Sequence, residues 1–147
     1  MSALRIPFAT LQPEAYRALS DLNAALYQSG LERKLIDLLY LRVSQINGCA
    51  YCVDLHWRDL MRQDEDPRRL NSLVSWREVP FFSPRERAAL RWADAVTDIR
   101  NLHDDAALTE LKAQFDNAEI AALTFAVAAM NAWNRLAISL HMQVKAE

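Results

Sequence analysis

The sequence predicts one all-α domain of about seven helices spanning residues 1–147, and three observations carry that reading. No stretch alternates apolar and polar residues with a period of two, as half-buried strands require. Two glycines in 147 residues leave few sites for left-handed turns, bulges or phosphate-cradling loops. Apolar residues recur instead three and four apart, in segments bounded by helix start and stop signals. The length suits a single domain. The 52% hydrophobic content lies slightly above the ordinary range of about 45–50% and points to a surplus for a subunit interface.

Pro13 can occupy the first turn of a helix running to about Tyr27, with Leu19, Leu22 and Leu26 on one stripe. Gly30 suits the stop that follows. A second helix, from about Glu32 to Ile46, carries Leu35, Leu38, Leu39, Val43 and Ile46. Asn47-Gly48 is a turn signal, after which a third, central helix opens around Cys49 and runs to about Arg62. Asp64 to Asp66 form a polar break, and Pro67 starts a helix to about Trp76. Ser83-Pro84-Arg85-Glu86 is a capping box with proline at the first helical position, opening a helix to about Asp98. Asp104 and Asp105 cap another, to about Phe115. Asp116 with Glu119 starts a long one ending near Met142. A faint echo between Leu38–His56 and Leu123–His141 raises the idea of a duplicated helical hairpin.

Several function classes are excluded by composition. A formal net charge of −2 offers no basic stripe for nucleic acid. Arg85, Arg87 and Arg91 are interrupted by Glu86 and Asp94 and read as a solvated helix face. The longest apolar run, Ile120 to Met130, is about half what a membrane span of ~20 residues needs. Met1 to Tyr16 lacks the apolar core of a secretory signal. The expected compartment is therefore the reducing cytoplasm, where a lone pair of cysteines three apart is chemical rather than structural.

Cys49, Cys52 and His56 fall along one helix face. Cys49 sits in the first turn, where unpaired N–H groups and the helix dipole favour a thiolate. His56, one turn beyond Cys52, is placed to take a thiol proton; packing against an apolar face near Trp57 is its bland alternative. Asp37 interrupts the apolar run Leu35-Ile36-Asp37-Leu38-Leu39, where a carboxylate is costly unless paired or exposed. Arg33, four residues earlier, is its ordinary partner. Asp54 and Asp59 read as solvent-facing. Trp133, Asn134 and Arg135 break the last helix and suit interhelical hydrogen bonds or a subunit contact more than a site.

The string Leu41-Arg42-Val43-Ser44-Gln45-Ile46-Asn47-Gly48-Cys49-Ala50-Tyr51-Cys52-Val53-Asp54-Leu55-His56 resembles the core of the AhpD-like alkylhydroperoxidases, within the carboxymuconolactone decarboxylase superfamily. The similarity continues through Trp76 to Phe82, the Ser83-Pro84-x-Glu86-Arg87 start and Asn131 to Leu136. It implies an all-helical fold assembling as trimers or hexamers, and a peroxidase cycle without haem, flavin or metal. In that cycle Cys52 is the peroxidatic cysteine, Cys49 resolves its sulfenic acid to a disulfide, and an external dithiol or protein reductant restores both. His56 belongs to the proton relay. The family commonly carries a glutamate twelve residues before the first motif cysteine, serving in that relay; here Asp37 stands there as the implied relay carboxylate, shorter by one bond of ~1.5 Å. The helix terminus favours Cys49 as the more acidic thiol, while the resemblance and the nearby histidine favour Cys52.

Four alternatives stand beside a hydroperoxide-reducing enzyme. The same cysteines suit a disulfide reductase or a redox sensor. The wider superfamily includes a decarboxylase acting on a lactone acid, which has no use for a dithiol. A zinc site would draw on Cys49, Cys52, His56 and Asp37, with a single C-x-x-C to build it. A non-enzymatic oligomeric binding module would need neither thiol.

Overall fold

A computed structural model of the chain describes residues 4–101 and 104–146. Met1 to Ala3, the head of the segment read as lacking a secretory signal, lie outside them, as does the C-terminal residue of the 1–147 domain. The described residues form eight α-helices and two short 3-10 turns, with no strand. In chain order these are α1 (Phe8–Leu11), α2 (Pro13–Tyr27), α3 (Arg33–Asn47), α4 (Ala50–Met61) and α5 (Pro67–Ser72), then α6 (Pro84–Thr97), α7 (Asp105–Lys112) and α8 (Asn117–Ser139). The 3-10 turns are Leu73–Glu78 and Ile99–Asn101.

Helix α3 is the hub, packed against α4, α6 and α8. Leu35, Ile36, Leu38, Leu39, Tyr40, Leu41 and Val43 are all buried, so it lacks the polar stripe of a surface helix. Helix α8 supplies Leu123, Ala126, Val127, Ala129 and Met130 to the same core. Its apolar run is thus a buried helix face, and none of the described helices is long and apolar enough to cross a membrane. Asn134 is fully buried on α8. It accepts a hydrogen bond from Asn47 (2.9 Å) and donates to Ser44 (3.1 Å), locking α8 to the end of α3. The echo between the two segments is not a duplicated hairpin. Leu38–His56 is broken at Gly48, whereas Leu123 onward runs unbroken to Ser139.

The helix starts follow their side chains. Ser83 and Glu86 close a full capping box on α6, and Asp116 and Glu119 do the same on α8. The expected helix from Pro67 to Trp76 stops at Ser72 and tightens into a 3-10 turn, with a kink at Ser75 (φ −119°, ψ 35°). The arginines of α6 are not a solvated face. Arg87 donates to the carbonyls of Trp76, Val79 and Arg77. Arg85 bridges Glu32 and Glu119, and Arg91 pairs with Asp104 and Glu110. They clamp neighbouring segments to α6.

Gly48 ends α3 with φ +70°, its N–H bonded back to the Gln45 carbonyl. This left-handed residue turns the chain sharply enough for Cys49 to cap α4. A Cβ at Gly48 would meet nothing within 4 Å. Gly48→Ala is therefore expected to cost only the backbone penalty, roughly 1–2 kcal/mol, and Gly48→Asn less. Urea midpoints of the two variants check this.

Candidate active site

Cys49 is the N-cap of α4. Its backbone is extended (φ −83°, ψ 95°), and its sulfur accepts the Cys52 N–H at 3.3 Å. The first turn of a helix leaves N–H groups free, so a negative charge on this sulfur is stabilised in place. Cys52 lies one turn on, and the two are joined as a disulfide with Cα atoms 5.3 Å apart. Both are buried, but they face different surroundings. Cys52 lines a cavity of about 260 Å³, whereas Cys49 does not.

Three helices build that cavity. Helix α2 contributes Tyr16, Ser20 and Asn23; α4 contributes Tyr51, Cys52, Leu55 and His56; α8 contributes Met130, Trp133 and Ala137, and Met142 follows. Tyr16 meets Trp133 edge-on at 5.4 Å, which closes α2 over α8. The walls are aromatic and aliphatic with a few hydroxyls and amides, suited to an organic body bearing a polar end. Trp133, expected at an interhelical or subunit contact, is a wall of the cavity. Asn134 beside it makes the interhelical bonds, and Arg135 donates to the Asn131 carbonyl.

His56 is buried at 6% exposure, and burial pushes its pKa down to about 4, against a small upward pull from Asp59. The ring is thus neutral at pH 7, the form that accepts a proton. Its Nδ1 makes no hydrogen bond, and lies 3.8 Å from Asp59 Oδ2. The Tyr40 ring stands 5.1 Å away. Asp59 is not the free solvent-facing residue the sequence implied; Arg62 holds its other oxygen at 2.8 Å. Asp54 does sit outward, paired with Arg58.

Asp37 is fully buried on α3. Tyr27 donates to one oxygen at 2.5 Å and Gln63 to the other at 2.6 Å, while Arg33, the partner read from sequence, stands off at 3.7 Å. Burial raises its pKa, opposed by those two hydrogen bonds and by Arg33. Burial and the adjoining carboxylate likewise push the Tyr27 phenol up. Among the described residues no hydrogen bond or ion pair joins Asp37 to His56, Cys49 or Cys52. Packed rings lie between Asp37 and His56, Tyr27 to Tyr40 (6.3 Å) and Tyr40 to His56, and the Asp59 carboxylate pulls the pKa of both upward. Tyr27, Gln63 and Asp59 had no signal beyond helical spacing. Nor do the described residues contain a group of three or more His, Cys, Asp or Glu able to hold a metal ion.

The buried histidine has a consequence for stability. Between pH 6.5 and about 4 the unfolded chain binds a proton that native His56 refuses. Stability therefore falls as pH drops through this window, by up to roughly 3 kcal/mol from this group. Asp37 acts in the opposite sense. Its raised pKa favours the fold below the unfolded value of 3.8, and that contribution is lost as pH rises through the folded value. His56→Gln is expected to flatten the loss between pH 6.5 and 4, so the stability gap from wild type narrows on acidification. Urea unfolding across that range reads it.

An all-helical domain with a C-x-x-C cap, a neutral buried histidine and a mostly apolar cavity beside them defines a class of helical dithiol proteins. Residues 13–95 match the carboxymuconolactone decarboxylase family, and the chain belongs to it. The uncharacterized protein YdfG of Bacillus subtilis is 31% identical over 137 residues, 92% of this chain and 93% of that one. Among solved structures, the fold is similar to a protein of unknown function from Agrobacterium tumefaciens, suggested to be the antioxidant defence protein AhpD. That match has a TM-score of 0.95 at 40% identity and covers 99% of this chain and 100% of the other. The debrominase Bmp8 shares the fold alone, at TM-score 0.84 and 19% identity over 93% of this chain and 74% of its own.

Proposed function

We propose that the protein is a thiol peroxidase that reduces organic hydroperoxides by a two-cysteine cycle. The observation that carries this is the division of the pair: Cys52 shares the cavity wall with His56, and Cys49 stands behind it within bonding reach. In the reduced protein neutral His56 takes the Cys52 proton. The thiolate attacks the terminal oxygen of ROOH, the O–O bond breaks, and the alkoxide leaves as alcohol with the proton held by His56. Cys52 is then a sulfenic acid. The Cys49 thiol gives up its proton, and the thiolate, stabilised at the helix start, attacks the Cys52 sulfur; the disulfide forms, the S–O bond breaks, and the departing hydroxide takes that proton to leave as water. An external dithiol or protein thiol supplies the two electrons that reopen the bond. No metal, haem or flavin enters this scheme. A steady supply of reductant points to the cytoplasm.

The antioxidant role suggested for the similar Agrobacterium protein supports the reading, as does an aromatic cavity that favours an organic peroxide over H2O2. The trimers or hexamers implied by the family resemblance belong to it too. The exposed Phe125 and Ile138 of α8 supply apolar surface for such contacts.

Stopped-flow mixing of the reduced protein with cumene hydroperoxide and with H2O2 tests the proposal. Oxidation to the intramolecular disulfide is expected at least about tenfold faster with cumene hydroperoxide, and well above the rate of a free cysteine with either. Rates no faster than a free thiol, with rapid exchange against a small disulfide, would make the protein a disulfide reductase instead.

A further inference from the structure

Asp37 holds the family's glutamate position, yet both its oxygens are committed elsewhere, to Tyr27 and Gln63. Among the described residues no hydrogen bond or ion pair joins Asp37 to His56. The histidine's own helix offers a carboxylate: Asp59 Oδ2 lies 3.8 Å from the otherwise unpartnered Nδ1, one turn along α4. We propose that Asp59 is the positioning carboxylate for His56, orienting the ring and compensating the charge it acquires when it takes the Cys52 proton. This rests on the reading of Cys52 and His56 as a proton-sharing pair.

Three observations support the assignment. Arg62 grips Asp59 Oδ1 at 2.8 Å, which turns Oδ2 toward the histidine. The distance is too long for a hydrogen bond to the neutral ring. A closure of about 1 Å makes a charge-assisted bond once the ring is protonated. The pairing is thus strongest in the charged state that proton transfer creates. The other groups around the ring cannot replace it. From α3 comes Tyr40, whose phenol is pushed up by burial and then by Asp37 and carries no negative charge near neutral pH. Tyr16 of α2 and Tyr51 of α4 line the cavity without a carboxylate to offer, and α8 lines it with Met130, Trp133 and Ala137, none charged. Asp37 reaches this region through ring contacts and through the Asp59 carboxylate, whose charge adds to the upward push on the Asp37 pKa.

The test uses full-length reduced Cys49→Ser protein, in which Cys52 is the sole thiol. The rate of its alkylation by iodoacetamide is followed by mass spectrometry from pH 5 to 10. Asp59→Asn in this background is expected to raise the apparent Cys52 pKa by about one unit and to slow alkylation at pH 7 about tenfold. Asp59→Glu is expected to restore most of the parent profile, and Asp37→Asn to leave it within a factor of about two. A shift with Asp37→Asn and none with Asp59→Asn would overturn the assignment, as would equal losses in Asp59→Asn and Asp59→Glu. Should Asp37→Asn fold poorly, the Asp59 pair decides alone. Because alkylation needs no peroxide, failure of the peroxidase reading leaves this result legible, and the reverse holds too.

Discussion

Cys52→Ser is expected to lower hydroperoxide reduction by roughly three orders of magnitude or more, the scale seen when a nucleophile is removed from a cooperating set. A serine hydroxyl in the same place is too weak an acid for His56 to ionise, and oxygen has no sulfenic acid chemistry to offer. Cys49 cannot take over, because it is 1% exposed and lies off the cavity. Cys49→Ser should behave differently. Its first oxidation is expected within a few-fold of wild type, since Cys52, His56 and the cavity are intact. Continued turnover with a dithiol should then fall sharply as the sulfenic acid goes unresolved. Single-turnover and steady-state rates with cumene hydroperoxide, measured side by side, separate the two defects.

The second large effect is on stability. Asp94 on α6 accepts two hydrogen bonds from Arg42 of α3 (2.7 and 3.1 Å), one from the Trp76 indole (3.2 Å) and one from Arg77 (2.7 Å). Arg42 is 12% exposed and Trp76 is 4% exposed, so neither can turn to water if the acceptor is lost. Asp94→Ala leaves a mostly buried guanidinium without its counter-charge and an indole N–H without a partner. The expected cost is about 3–4 kcal/mol, or a drop in Tm of roughly 10 °C for a chain of this size. Arg77→Ala removes an exposed partner and should cost under about 1 kcal/mol. Calorimetry of the two variants against wild type reads the difference. Equal small losses would mean that Asp94 does not hold α3, α6 and the 3-10 turn together.

What was legible in the sequence was mostly local. The capping boxes at Ser83 and Asp116, proline at the start of α2, α5 and α6, and glycine at the end of α3 depend on neighbours a few residues away. Each appears where the sequence placed it. The four-residue helix α1 went unread because it has no side-chain cap and buries nothing. The 3-10 turn at Leu73–Glu78 went unread because helical and 3-10 spacings hardly differ over six residues.

The candidate site divides in the same way. Cys49, Cys52 and His56 are neighbours on one helix, so spacing alone brought them together. The cavity depends on α2 folding across α4 and α8, and Tyr16, Trp133 and Met142 meet there through contacts far apart in the chain. Asp37 was conspicuous as a carboxylate in an apolar run, but its donors are Tyr27 of α2 and Gln63 just beyond α4, which no pattern links to it. The orientation of Asp59 toward His56 is set by a side-chain rotation that helical spacing leaves open.

In the proposed cycle the Cys52 sulfur is the atom that meets the peroxide. The most direct test is to treat reduced Cys49→Ser and reduced Cys52→Ser with one equivalent of cumene hydroperoxide, trap sulfenic acid with dimedone, and locate the adduct by peptide mass spectrometry. A rapidly formed adduct is expected on Cys52 in Cys49→Ser and none above background in Cys52→Ser. A fast adduct on Cys49 in Cys52→Ser, with Cys52 inert in the other variant, would contradict that cycle and reverse the roles of the two cysteines.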